Sequence, residues 1–224
     1  MLVGLMRHDR ALVLAGLTAV IALSWVWLMT GAGLKMDEMD MGGGQIMLMA
    51  PPWTVQYAAV IFLMWVIMMA AMMLPSAAPA ILLVIALTKQ RGGSHAKRAS
   101  GEFALGYVAV WGAFSLIATA LQWRLDRAGL LSENMASGSV VLAALLLLAA
   151  GVYQLTPWKQ ACLQHCRSPM EFLTRYWRRG PLGPVRAGAW HGAFCQGCCW
   201  MLMGLLFVGG LMNLLWIAGW RFWC

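Results

Sequence analysis

Charge is scarce in this chain: only 11% of its 224 residues are charged, against roughly 25% in a soluble globular domain. With 62% hydrophobic residues and a mean hydropathy of +0.72, that scarcity excludes an ordinary soluble domain and points to a bilayer. Catalytic signatures are missing too. No paired carboxylates stand in an apolar segment, no glycine-rich phosphate loop follows a strand, and neither a nucleophile elbow nor a metallohydrolase motif occurs. These absences weigh against an enzyme. No repeat recurs at a fixed period and no linker divides the chain, so a single integral membrane domain over 1–224 is expected.

What is present is long apolar runs. A transmembrane helix needs about 20 mostly apolar residues, and five stretches qualify: 11–30, 57–83, 102–122, 137–157 and 193–219. The expected fold is all-α, a polytopic bundle of about five spans. The first, "ALVLAGLTAVIALSWVWLMT", follows basic residues as a signal peptide would, but its apolar core is too long and no small-x-small cleavage site precedes the next loop. It is expected to be a retained anchor.

A net charge of +8 does not mean nucleic acid, because the basic residues fall in short loops between spans. Arg7 and Arg10 precede the first span; Lys89, Arg91, Lys97 and Arg98 follow the second; Lys159, Arg167, Arg175, Arg178, Arg179 and Arg186 follow the fourth. These alternate loops share one side, which the positive-inside rule makes cytoplasmic. The N-terminus is therefore expected in the cytoplasm, in a bacterial-type inner membrane. The partners expected are the lipid bilayer and a further membrane subunit, not nucleic acid.

Soft metal ligands are the other thing present. "CLQHC" and "HGAFCQGCCW" hold five of the six cysteines and two of the four histidines. On a helix Cys162 and Cys166 share a face. His165 lies about 100° away, which makes it a weaker candidate for the same ion. His191, Cys195 and Cys198 follow i, i+4, i+7 spacing and stay within about 60° of one another, with Cys199 about 40° beyond Cys195. Both clusters are expected at the cytoplasmic ends of adjacent helices. Two thiols from each would give the four ligands of tetrahedral zinc, or the two or three that suit Cu(I). A reducing cytosol disfavours a standing disulfide, so a soft metal, copper(I) ahead of zinc, leads over two rivals: a membrane thiol–disulfide oxidoreductase, and a structural subunit with inert buried cysteines. Cys224 faces the other side and packs at the interface or does nothing. His8 and His95 read as solvated surface residues.

Methionines recur throughout. Met64, Met68 and Met72 share one helix face, with Met69 and Met73 on a neighbouring stripe; adaptable packing competes with a thioether lining beside a metal. Pro75 and Pro79 should kink or break that helix. Met36, Met39, Met41, Met47 and Met49 crowd a loop expected to be flexible at its "GGG". There a Cu(I)-capturing segment competes with a loop that merely touches headgroups. In the third span Gly106, Gly112 and Ala113 suggest close packing.

The stretches "WVIMMAAMMLPSAAP", "GVYQLTPWKQACLQHCRSP" and "HGAFCQGCCWMLMGLLFVGGLMNLLW", in that order, resemble the DUF2182 family of predicted metal-binding integral membrane proteins over roughly Trp65 to Trp216. The resemblance implies Cys162, Cys166, His191, Cys195, Cys198 and Cys199 as the ligand positions. The family's pattern continues past "MNLLW", whereas this chain stops at "IAGWRFWC", so the loss of a final helix is expected. The functional expectation is soft-metal binding in trafficking or supply to a membrane metalloenzyme.

Overall fold

The computed structural model describes residues 2–33, 37–40, 46–49, 52–90, 95–131, 137–177, 180 and 182–210. Apolar helices dominate. Helix α1 (Leu2–Met29) leads to a two-stranded antiparallel hairpin of β1 (Asp37–Asp40) and β2 (Ile46–Met49), in which Met39 stands opposite Met47. Helices α2 (Val55–Gln90), α3 (Ala96–Arg127), α4 (Val140–Gln154), α5 (Pro157–Arg167), α6 (Pro169–Tyr176), α7 (Gly183–Gly204) and α8 (Leu206–Gly209) follow. Four segments, Arg10–Met29, Val55–Gln90, Ala96–Arg127 and Gly183–Gly209, are long and apolar enough to cross a membrane; α4 and α5 together make a fifth if their bent pair is one span. Outward-facing residues such as Ile117 (65% exposed) and Leu148 (67%) leave large apolar side chains on the surface, as lipid contact requires. The "GGG" of the loop, Met36, Met41, His8 and residues 211–224, with Cys224, lie outside what the structure describes at side-chain level.

Helix α2 runs unbroken through Pro75 and Pro79, so the break expected there does not occur. Each proline removes one backbone donor; in the same stretch Ser76 Oγ donates to the Met73 carbonyl at 2.7 Å and Tyr107 Oη donates to it at 3.1 Å. All five methionines of its two stripes, Met64, Met68, Met69, Met72 and Met73, are buried.

The break falls instead in the fourth passage. α4 has only 15 residues, about 22 Å of helix against a hydrocarbon core of about 30 Å. Thr156 then caps α5, its side chain accepting from Lys159 N at 3.4 Å, and Pro157 sits in the first turn, where its missing N–H costs nothing. α4 and α5 meet at a 67° bend.

Glycine sets the central crossing. A Cβ on Gly106 would strike the Val185 carbonyl, and one on Gly188 the Phe103 carbonyl; one on Gly192 would lie 3.1 Å from the Tyr107 carbonyl. Small residues let the α3 and α7 backbones touch, whereas Gly112 has nothing within 4 Å of where its Cβ would be and plays no part. Numbers rise together on both helices, so α3 and α7 run parallel. The chain must therefore return between them. It does so down the length of α7: Ser137 N donates to the Phe207 carbonyl at 2.6 Å, Tyr153 meets Trp200 at 5.6 Å between ring centroids, Phe172 meets His191 at 5.1 Å, and Tyr176 meets Trp190 at 5.8 Å. The starts of α3 and α7, each beside a basic segment, consequently lie at the same end.

Deep in the bundle Trp65 Nε1 donates to Gln122 Oε1 at 2.8 Å. Gln122→Ala would leave the indole N–H without this acceptor in an apolar interior, a loss of about 1–3 kcal/mol. A thermal-unfolding comparison in detergent should show a lowered midpoint, with Gln122→Glu or Gln122→Asn recovering part of it.

Candidate metal centre

Helix α7 begins with Pro184 in its first turn and winds through "AGAWHGAFCQGCCW", which turns His191, Cys195, Cys198 and Cys199 into the bundle, all buried. Because α7 starts at Gly183, Cys195 stands twelve residues in, about 18 Å along the axis. The cysteines thus lie near the middle of the 27-residue α7–α8 segment and not at the end where the sequence suggested. Gly188 and Gly192 let these earlier turns lie directly on α3.

Three sulfurs converge. The Sγ atoms of Cys166, Cys195 and Cys198 all lie within 4.8 Å of one another, bringing α5 against α7. Sulfurs on one three-coordinate ion with metal–sulfur bonds near 2.3 Å would stand about 4 Å apart, so the cluster needs little adjustment to close on an ion. Cys198 Sγ lies 3.4 Å from Cys199 Sγ and donates to the Cys195 carbonyl at 3.0 Å. Cys199 is nonetheless outside the three-thiol group. All five described cysteines are free thiols.

Cys162, one turn before Cys166, is also outside that group. It is half-buried and sits over Gly197, where an added Cβ would be 2.8 Å from its Sγ. Tyr153 Oη donates to the Gly197 carbonyl from the last turn of α4, so both arms of the broken passage grip α7 at this one glycine.

His191 is 3% exposed, packed among Phe103, Tyr107 and Phe172 at 5.8, 5.8 and 5.1 Å between ring centroids. Its Nδ1 has no hydrogen-bond partner among the described residues. A buried imidazole nitrogen without a partner is costly, and it stands one turn from Cys195. His165 faces elsewhere: it stacks on Phe194 at 4.3 Å and 6°, with Nδ1 2.8 Å from the Ala161 carbonyl, in line with its 100° offset from Cys166.

Tyr107 is the residue sequence reasoning missed. Its hydroxyl lies 3.2 Å from Cys195 Sγ while it donates to the Met73 carbonyl. One buried oxygen thereby joins the thiol group of α7 to the backbone of α2 at Met73. The signal available was its neighbour Gly106: a glycine at the contact brings the adjacent side chain to the facing helix.

The chemistry of this donor set fits a soft ion. Three sulfurs with no carboxylate in the group are what Cu(I) takes, whereas structural zinc asks for four ligands. A family model described as PpoB2, copper chaperone, matches residues 62–222, well over half of the chain and all of the centre. No curated protein and no solved structure matches it.

Proposed function

The chain belongs to that PpoB2 family, and from this we propose that it is a membrane-embedded carrier of copper(I), holding the ion at Cys166, Cys195 and Cys198 for delivery to a membrane metalloenzyme. The observation that carries the reading is the convergence of those thiols within 4.8 Å, inside a bundle of membrane-length helices. His191, with its unpartnered Nδ1, Cys162 and Cys199 stand around the group as further donors. The 67° bend beside it belongs with carriage: discontinuous helices are how membrane transporters open a mid-bilayer site. The buried methionines of α2 extend a polarisable thioether surface away from the thiols.

Basic segments at the shared starts of α3 and α7 support placing that end, and the N-terminus, in the cytoplasm of an inner membrane. Copper would then reach the thiols from a reducing compartment, where they persist without oxidation.

Copper removal tests this directly. Protein purified with reductant and loaded with Cu(I) should show a single copper per chain by elemental analysis. Its Cys166, Cys195 and Cys198 peptides should resist alkylation until a Cu(I) chelator is added. An exchangeable disulfide among these residues under mild oxidant, with no metal retained, would make the protein a thiol oxidoreductase instead. Alkylation unaffected by copper would leave the cysteines as packing.

A further inference from the structure

We infer that Tyr107 is a positioning residue whose hydroxyl proton has two stations: the Met73 carbonyl when the centre is empty, and the Cys195 sulfur when copper is bound. The inference rests on the copper reading above and assigns what holds the ion's negatively charged ligand in an apolar interior.

The geometry of the empty centre fixes the first station. Tyr107 Oη donates to the Met73 carbonyl at 3.1 Å and lies 3.2 Å from Cys195 Sγ. A hydroxyl has one proton and two lone pairs. With that proton spent on Met73, the Cys195 thiol is the donor of the second bond and the tyrosine oxygen its acceptor. Cys195 therefore keeps its own proton here.

Copper reverses the roles. Cu(I) takes the place of the thiol proton on Cys195, that proton leaves to the buffer, and copper stays Cu(I). The sulfur now has no hydrogen to give and carries negative charge, and three such sulfurs outweigh the charge of one Cu(I). Unpaired charge is expensive in this setting. A hydrogen bond to an ionised acceptor is about twice as strong as one to a neutral carbonyl, so the tyrosine proton turns from Met73 to Cys195. Only the O–H rotates, because both acceptors already lie within reach of the same oxygen. The ring itself is held: Tyr107 is 1% exposed, and a Cβ on Gly192 would lie 3.1 Å from its carbonyl and 3.4 Å from its Cα. The carbonyl left behind keeps a bond, since Ser76 Oγ also donates to it at 2.7 Å. Loading thus tightens α3 on α7 and releases one tie between α3 and α2.

The test uses the full chain in detergent, reduced and anaerobic, titrated with Cu(I) against a chelator. Tyr107→Phe should lower Cu(I) affinity at least about tenfold, as loss of a group that supports a ligand does. The copper–thiolate absorption of that variant should move to longer wavelength, because the sulfur lone pairs lose the bond that lowers their energy. In the wild type, the infrared difference between loaded and empty protein with ring-labelled tyrosine should contain a shifted C–O band that Tyr107→Phe lacks. The same band from a chain carrying Tyr57→Phe, Tyr153→Phe and Tyr176→Phe, in which Tyr107 is the sole tyrosine, assigns it even where Tyr107→Phe folds poorly. A wild type that binds copper with no tyrosine band would overturn the inference and leave Tyr107 as a brace between α3 and α2. Wild-type affinity and absorption in Tyr107→Phe would overturn it too. Failure of the wild type to take up copper at all would overturn the copper reading itself.

Discussion

Serine at Cys195 is expected to lower Cu(I) affinity by more than about 100-fold, beyond the 10–100-fold typical when only a residue supporting a ligand is changed. Cys195 is the most connected thiol of the centre: it lies within 4.8 Å of both Cys166 and Cys198 and 3.2 Å from the Tyr107 hydroxyl. A serine oxygen is harder than sulfur and a poor ligand for Cu(I). Cys166→Ser and Cys198→Ser should behave alike, because the group has only three members. Cys199→Ser, outside the group, should cost less than about tenfold. Competition titration against a Cu(I) chelator, run across the four variants, gives the ranking. Equal losses at Cys199 and Cys195 would mean that the three-thiol set is wrongly drawn. Because serine is smaller and nearly isosteric, unfolding midpoints without copper should move little, which separates ligand loss from misfolding.

Leucine at Gly188 should have the largest effect on the fold. The site exists because α3 and α7 touch backbone to backbone, and a Cβ at Gly188 would strike the Phe103 carbonyl. A carbonyl in a helix cannot rotate aside as a flexible side chain can, so the helices must separate. That would cost more than about 3 kcal/mol, the upper part of the usual overpacking range. Separation would also carry Tyr107 away from Cys195 and unseat His191 from Phe103 and Tyr107. Gly188→Leu is thus expected to reduce both the yield of monodisperse protein and copper stoichiometry. Gly112→Ala is the matched control, since nothing lies within 4 Å of its Cβ position. There alanine should be neutral or stabilise by up to about 1 kcal/mol through helix propensity. Size-exclusion profiles and unfolding midpoints in one detergent compare the pair; a well-folded, copper-loading Gly188→Leu protein would show that the crossing does not hold the centre.

The contrast between these glycines shows where local sequence stops informing. Gly106, Gly112, Gly188 and Gly192 all occur in apolar helical runs, and periodicity treats them alike. Only the facing helix distinguishes the three at contacts from the one in open space. The proline signals behave similarly. Pro75 and Pro79 look like the breakers, yet α2 passes through them as one helix. The real break, at Leu155–Thr156, carries the ordinary marks of a helix start, a threonine cap and a proline in the first turn, and falls at the end of the 137–157 stretch expected as the fourth span.

By itself the sequence determined the quantities that depend on composition and on the 3.6-residue turn. Apolar runs of membrane length, the grouping of basic segments at one end, and the shared faces of Cys162 with Cys166 and of His191, Cys195 and Cys198 all follow from spacing along a single helix. Tertiary structure decided everything that depends on two helices at once: the parallel crossing of α3 on α7, the mid-helix depth of the cysteines, the arrival of Tyr107 beside Cys195, and the separation of Cys162 from the thiols that converge. The physical reason is that a thiol–thiol distance between helices is set by backbone approach and by the angle at a break. Both are fixed by contacts between residues far apart in the chain, to which local periodicity is blind.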